Sequence, residues 1–137
     1  MRGWLARFLR RRESLGDAGE RLAAAYLRSL GFKILDRQLA SRIGEIDLVA
    51  RDGDAIVFVE VKTRQSTSAG HPVEAVTPHK QSQMTRAALA YLKRRGLLEC
   101  RTRFDVVAVL LSSEDGTPQI THYRDAFQAA GSGQMFA

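Results

Sequence analysis

The sequence contains one cysteine, Cys100, so it can form no internal disulfide and has no second thiol for a zinc site built on cysteines. It has no apolar run long enough to span a membrane. Its N-terminus lacks the uninterrupted apolar core and the cleavage site of a signal peptide. These absences exclude a disulfide scaffold and stable membrane insertion, and we expect a cytoplasmic protein.

Lysine is also scarce, at four of the 21 basic residues, and the positive charge is unevenly distributed. The formal net charge of +6 suggests an anionic partner such as nucleic acid. Five arginines within residues 1–12 supply most of it, whereas residues 13–137 carry 16 basic against 15 acidic side chains. A nucleic-acid site in this nearly neutral part must be a local patch, or a carboxylate cluster completed by a metal cation.

A chain of 137 residues suits one domain with a proper core. We expect a basic amphipathic tail at 1–13, a single domain at 14–127 and a flexible C-terminal tail at 128–137. Trp4 and Phe8 stand at helical spacing among arginines, which leaves open an adaptor that rests on a membrane surface or a partner protein. The simpler alternative is a solvated tail or an extra turn packed on the domain.

Turn signals and apolar runs predict the order α-β-β-β-α-β-β, a mixed α/β sheet flanked by helices. The first helix is expected to begin at an Asp17 N-cap, with Glu20 in capping-box position, and to end at Gly31. The second is expected to run from a Thr77 N-cap to about Arg95. Strands are predicted at 32–37, 44–50, 55–64, 104–111 and 119–123.

The central feature is a β-hairpin from Gly44 to Arg64, with its turn at Asp52-Gly53. If these two residues form the centre of the turn, Glu60 pairs with Glu45 and lies diagonal to Asp47. Because strand side chains alternate, four polar side chains would then share one side of the sheet. A loop of odd length would split them across the two faces. The four are Glu45, Asp47, Glu60 and Lys62.

Glu60 and Lys62 interrupt an otherwise apolar strand, which suggests burial, and a buried charge is costly unless it is paired or metal-bound. The alternative is an ordinary solvated Glu-x-Lys pair. Carboxylates without nearby His or Cys suit a hard cation, Mg²⁺ or Mn²⁺. We therefore assign Asp47, Glu60 and the Val61 carbonyl as metal ligands, with Lys62 orienting the attacking water in phosphodiester hydrolysis.

Two further residues can complete such a site. Glu20 would be a ligand if its helix crosses the sheet at this point, although a capping role explains it without any catalytic function. Gln81 could reach the site from the second helix and is a further catalytic candidate. Four basic side chains are candidate nucleic-acid contacts: Arg21, Arg42, Arg64 and Lys80.

Five motifs in matching order resemble the bacterial YraN-like family of uncharacterised proteins, over roughly residues 15 to 127. They are Gly19-Glu20-Arg21, Gly44-Glu45-Ile46-Asp47-Leu48, Phe58-Val59-Glu60-Val61-Lys62-Thr63-Arg64, Val76-Thr77 with Lys80-Gln81, and Arg103-Phe104-Asp105-Val106-Val107. That family looks like a member of the PD-(D/E)XK nuclease superfamily, similar to Holliday-junction resolvases. The resemblance implies a restriction-endonuclease-like fold with a core of helix, three strands, helix and strand.

By position, the resemblance places the superfamily's Asp, Glu and Lys on Asp47, Glu60 and Lys62, and the helix Glu of the resolvases on Glu20. Ile46 stands where the superfamily's name has proline. The implied activity is a metal-dependent endonuclease acting on DNA, including branched or damaged DNA, and a homodimer would suit symmetric cleavage of two strands. The alternative is a non-catalytic nucleic-acid-binding protein of the same fold.

Overall fold

The computed structural model describes residues 13–68, 70–111 and 116–130. The predicted order α-β-β-β-α-β-β is confirmed within these ranges. The predicted tails at 1–13 and 128–137, including the amphipathic segment around Trp4, lie almost entirely outside the described residues. The elements are α1 (Leu15–Ser29), β1 (Lys33–Ala40), β2 (Glu45–Asp52), β3 (Ala55–Arg64), α2 (Pro78–Arg95), β4 (Arg101–Leu110) and β5 (Gln119–Phe127).

The strands form one mixed sheet in the order β1-β2-β3-β4-β5. Neighbouring strands are antiparallel except for β3 and β4, which are parallel and joined through α2. A parallel pair needs such a crossover, whereas the antiparallel pairs can be joined by short loops. β3 is the central strand, and every residue from Ala55 to Val61 is buried, so the predicted burial of this apolar run is confirmed.

One helix covers each face of the sheet. Ala23 and Leu27 of α1 belong to a core with Val59 of β3, and Tyr91 of α2 belongs to a second core with Phe58. Because side chains alternate along a strand, the residues that follow Phe58 at every second position lie on the α2 side. These residues are Glu60, Lys62 and Arg64. Within the described part of the chain, neither helix has the length and hydropathy that a membrane span requires.

The first helix begins earlier than predicted. Its N-cap is Ser14, whose hydroxyl accepts a hydrogen bond from the Asp17 N–H at 3.0 Å. Serine caps as well as aspartate does, and a cap at Ser14 places the Asp17 charge in the first turn, where the helix dipole favours it. The predicted Asp17 cap is therefore wrong, and Glu20 lies in the second turn, where it has no capping role. The left-handed Gly31, at φ 92°, follows the helix as predicted.

The second helix follows the prediction residue for residue. Thr77 is its N-cap and accepts from the Lys80 N–H at 3.2 Å, Pro78 opens the first turn, and Gly96 closes the helix in the left-handed region at φ 68°. Glycine suits this position because a Cβ disfavours positive φ. The fixed start of α2 places Lys80 over the sheet.

The hairpin register differs from the prediction by two residues. Asp52 pairs with Ala55, so Gly53 and Asp54 form the centre of the turn, rather than Asp52 and Gly53. Gly53 has a φ of 60°, which glycine adopts without strain. A shift of two residues keeps each side chain on its face. Continued one step beyond its last pair, Leu48 with Val59, this register aligns Asp47 with Glu60, in place of Glu45.

Four strands extend beyond their predicted bounds. β1 continues to Ala40, β2 to Asp52 and β5 to Phe127, and β4 begins at Arg101. The added segments are rich in polar residues, and backbone pairing with a neighbouring strand, such as Arg101 with Ala55, sustains them. The hydrophobic pattern marks only the buried part of a strand, so the predicted strands were too short at these ends.

Candidate active site

The candidate site lies where β2 and β3 separate. Their pairing runs from Asp52 with Ala55 to Leu48 with Val59. Beyond that point β2 stays paired with β1, while β3 stays paired with β4 as far as Arg64. The first residues past the end of the shared ladder are Asp47 and Glu60, so two acids meet at the fork.

Asp47 takes the place of a backbone acceptor at this fork. Its Oδ2 accepts a hydrogen bond from the Val61 N–H at 2.7 Å. Burial raises the pKa of Asp47 to about 7, with a further contribution from the Glu60 charge; the Val61 N–H opposes the shift, and the Glu20 charge adds to it. The free site thus disfavours a full set of negative charges, which a bound cation would relieve.

Glu60 is 4% exposed and is held between two lysines. Lys62 Nζ lies 3.2 Å from Glu60 Oε2, and Lys80 Nζ lies 3.9 Å from Oε1. Among the described residues, Oε1 is buried and accepts no hydrogen bond. A buried carboxylate oxygen without a donor is costly, so Glu60 has coordinating capacity that the described side chains do not satisfy.

Glu20 reaches the same region because α1 rests directly on β3. A Cβ on Gly19 would lie 1.8 Å from Thr63 Oγ1, so glycine is required for this close approach. Burial raises the pKa of Glu20; a hydrogen bond from Gln38 opposes the shift, and the charges of Asp17 and Glu60 add to it. Glu20 is therefore electrostatically coupled to both acids of the hairpin.

A cavity of about 290 Å³ opens beside these acids. Gln38, which lines it, adopts a left-handed backbone at φ 49°, a conformation that disfavours residues with a Cβ. Its side-chain amide donates to Asp17 Oδ1 at 3.0 Å. No local pattern indicates a role for Gln38, because its place at the cavity depends on the pairing of β1 with β2. The lining residues are Glu20, Gln38, Ala40, Glu45, Ile46 and Asp47.

The donor set suits a hard cation only if water and substrate complete it. Within residues 13–68, 70–111 and 116–130, no three His, Cys, Asp or Glu side chains are close enough to hold an ion by themselves. Asp47, Glu60 and the Val61 carbonyl are all oxygen donors. Mg²⁺ commonly binds one or two carboxylates and keeps waters and phosphate oxygens as its other ligands. This chemistry fits Mg²⁺ or Mn²⁺.

The remaining predicted residues are distributed as follows. The side-chain amide of Gln81 donates to the Val76 carbonyl at 2.9 Å, so this side chain is hydrogen-bonded to the backbone at the start of α2. Arg21 is exposed and pairs with Glu13 at 2.8 Å, and Arg42 is exposed at the loop before β2. Arg64 lines a second cavity beside Lys62. Lys80, a predicted nucleic-acid contact, lies beside Glu60, with 3.9 Å between its Nζ and Glu60 Oε1.

A second buried acid, Asp105, provides a contrast with Glu60. It is fully buried and accepts from Arg103 Nε at 2.9 Å, from the Asp125 N–H at 3.0 Å, and lies 2.7 Å from His122 Nε2. Burial raises its pKa, but the hydrogen bonds from His122 and Arg103 more than offset this, so the pKa is lowered overall. A carboxylate with this many donors has the partners of a structural group, whereas Glu60 does not.

Comparisons with known proteins identify relatives along most of the chain. The model of a family described as "Uncharacterised protein family UPF0102" matches residues 19–109. A UPF0102 protein of Geobacter sulfurreducens is 53% identical over 116 residues, which cover 85% of this chain and 90% of the relative. One from Chlorobium phaeobacteroides is 47% identical, covering 84% and 94%, and one from Rhodococcus jostii is 49% identical, covering 83% and 96%.

Proposed function

The chain belongs to the UPF0102 family, which is described as uncharacterised, and from its site we propose that it is a metal-dependent endonuclease that hydrolyses phosphodiester bonds in DNA. Branched or damaged DNA is the proposed substrate class. The observation that carries the proposal is the meeting of Asp47, Glu60 and Lys62 at the fork between β2 and β3. Two acids that can hold a cation, beside a lysine that can stabilise developing negative charge, suit phosphodiester hydrolysis.

Asp47, Glu60 and the Val61 carbonyl would hold Mg²⁺ or Mn²⁺, with Glu20 as a further ligand. When bound, such a cation lowers the pKa of a water molecule and neutralises charge on the phosphate. Two features support this ligand set. Glu60 Oε1 has no hydrogen-bond donor among the described residues, and the pKa of Asp47 is raised to about 7 by burial and by neighbouring acids.

Lys62 is held at the edge of the acid pair by its 3.2 Å contact with Glu60 Oε2. An ammonium at this point can orient the attacking water and stabilise the charge that develops on the phosphate oxygens. Lys80 approaches the other Glu60 oxygen from the start of α2. It would contact the DNA backbone and fix the position of the strand, without reading its sequence.

We further propose that the family lies within the PD-(D/E)XK superfamily. The element order and the places of Asp47, Glu60 and Lys62 on the central hairpin support this assignment. The cytoplasmic location expected from the single cysteine and the N-terminus, and a homodimer suited to cleavage of both strands, stay predictions of the sequence.

A second candidate function is nucleic-acid binding without cleavage. The observation that favours it is the pair of lysines already at Glu60, since Lys62 and Lys80 can balance that charge without a metal ion. In such a protein the acids would serve to position the lysines, and the lysines would bind phosphate. The fold itself does not discriminate, because one scaffold can serve either purpose.

The test is a cleavage assay on linear, flapped and four-way DNA and on RNA, with Mg²⁺ or Mn²⁺. We expect cleavage by the wild-type chain and its loss in Asp47→Asn and Lys62→Ala. Asp54→Asn is the matched control, because Asp54 belongs to the same hairpin but is 77% exposed at its turn. Cleavage that persists in Lys62→Ala would reveal a contaminating nuclease and defeat the assignment.

A parallel measurement does not depend on activity. A ligand that binds only the folded chain stabilises it, by about 2.7 kcal/mol at a hundredfold excess over Kd. Mn²⁺ should therefore raise the Tm of wild type and of Asp54→Asn but not that of Asp47→Asn. If Mn²⁺ fails to stabilise the wild type while DNA still binds, the second candidate is correct.

A further inference from the structure

A second cavity, of about 320 Å³, begins at Lys62 and extends away from the two acids. It lies on the α2 side of the sheet, beyond the part that α2 covers, and the polar loop after β3 forms its wall. Because Lys62 lines this cavity and also contacts Glu60, whatever fills the cavity adjoins the candidate catalytic site.

The floor of the cavity consists of two rows of residues that pair across three strands. Lys62 pairs with Ala108, which pairs with Thr121 on β5. The second row begins at Arg64, which pairs with Leu110. The floor thus has two basic side chains on β3, Ala108 and Leu110 on β4, and the polar Thr121 and Gln119 on β5. One edge is cationic, and the rest suits a flat group with polar edges.

His71 stands at the wall, beside the floor. Its ring meets Tyr123 edge-on with 4.9 Å between the ring centroids, and its Nδ1 accepts from the Val73 N–H at 3.2 Å. The ring is therefore fixed in place at an exposed position. Fixed rings are the surfaces on which unpaired bases stack in single-strand-binding proteins.

We propose that this cavity binds one unpaired nucleotide next to the scissile phosphate, so that the substrate is single-stranded or splayed at the cleavage point. The proposal rests on the proposed function and names its substrate class. Lys62 and Arg64 would contact the phosphate, and the base would lie over Ala108 and Thr121 beside His71. At about 320 Å³, the cavity is at the small end of ligand pockets, about 300–1,000 Å³, and suits one nucleotide. A base held in a duplex cannot enter it.

The test fills the floor and leaves the charges unchanged. Ala108→Leu places a larger side chain in the cavity, and Ala25→Leu is the matched control, since Ala25 is exposed on α1. The probes are a labelled single-stranded oligothymidylate and a labelled blunt duplex, measured by fluorescence anisotropy without a divalent cation. Thermal unfolding verifies that each variant folds. A second variant, Thr121→Leu, fills the cavity from the exposed edge strand.

We expect wild type to bind the single strand more tightly than the blunt duplex. Ala108→Leu and Thr121→Leu should weaken single-strand binding by about tenfold, as expected when one stacked base is lost, and Ala25→Leu should not. Equal binding of the single strand by wild type and both filled variants would overturn the proposal, as would a wild-type preference for the duplex. Because no cleavage is required, a wild type that never cuts DNA would defeat the nuclease proposal without altering this result.

Discussion

Replacement of Gly19 by alanine should destabilise the protein, although it places a better helix former within α1. Alanine in a helix interior is favoured over glycine by about 1 kcal/mol. The new Cβ, however, would lie 1.8 Å from Thr63 Oγ1, 2.8 Å from its Cβ and 2.9 Å from its Cγ2. Rotation about χ1 of Thr63 moves Oγ1 and Cγ2 but leaves its Cβ in place, so the 2.8 Å contact remains in every rotamer.

Overpacking of this kind costs about 1–3 kcal/mol, and the upper end applies because three atoms are too close. After the gain in helix propensity, we expect a net loss of about 2 kcal/mol. For a domain of this size that is a fall in Tm of about 8 °C. The variant should also lose stabilisation by Mn²⁺, since displacement of α1 from β3 moves Glu20 away from Asp47.

The matched control is Gly16→Ala in the same helix. A Cβ there meets only Ser14 Oγ, at 4.0 Å, so this variant should be as stable as wild type or slightly more stable. Thr63→Ala in the Gly19→Ala background removes two of the three contacts and should recover about 1 kcal/mol by urea denaturation, as a double-mutant cycle measures it. If Gly19→Ala raises the Tm as Gly16→Ala does, or if Thr63→Ala recovers nothing, helix α1 does not require glycine for its approach to β3.

Four further outcomes follow from individual polar residues. Because the pKa of Asp47 is raised to about 7 in the folded chain, the wild type loses stability as the pH rises from about 4 to about 7. Above pH 7 the free energy of unfolding of metal-free Asp47→Asn should therefore exceed that of the wild type by up to about 4 kcal/mol. Urea denaturation should show this difference closing towards pH 4, and a difference that is constant with pH would contradict the assignment. The lowered pKa of Asp105 has the opposite sign, so its contribution to stability is present above pH 4 and fades in acid. Asp105→Asn should lose about 1–3 kcal/mol at pH 7, because Arg103 loses one of its two carboxylate partners and keeps Asp52, and the variant should show little further loss in acid. Asp54→Asn, at an exposed pair, should change stability by less than about 1 kcal/mol in the same titration. Gln38→Gly should be about 1 kcal/mol more stable than Gln38→Ala, since both remove the side chain but only glycine adopts φ 49° without strain; equal Tm values would argue against strain at this position.

The elements that sequence predicted well are those with local signals. Thr77, Pro78 and Gly96 specify both ends of α2 by cap chemistry that acts within a few residues. The burial of Glu60 also followed from its apolar neighbours on β3. Two equally good caps compete at the start of α1, however, so cap preference alone does not choose between Ser14 and Asp17; the structure caps at Ser14 and leaves Asp17 in the first turn.

The parts of the site that sequence could not predict depend on contacts between distant segments. The two-residue shift in hairpin register changes the acid opposite Glu60 without changing any side chain's face, so the apolar pattern is the same for both registers. Gln38 lines the cavity because β1 pairs with β2, and Gln38 itself adopts a strained left-handed backbone conformation there. Lys80 reaches Glu60 through the crossover of α2, which no local spacing encodes.

The hydrogen bond from Val61 to Asp47 gives the site a spectroscopic reporter. In most of the sheet an amide proton senses only backbone partners, which change little when a ligand binds. The Val61 amide instead donates to a titrating carboxylate at 2.7 Å. Its proton and nitrogen resonances therefore follow the charge on a side chain of the neighbouring strand, directly across the fork. Nuclear magnetic resonance of this single amide would register protonation or cation binding at Asp47 in the intact chain, whether or not a substrate is ever turned over.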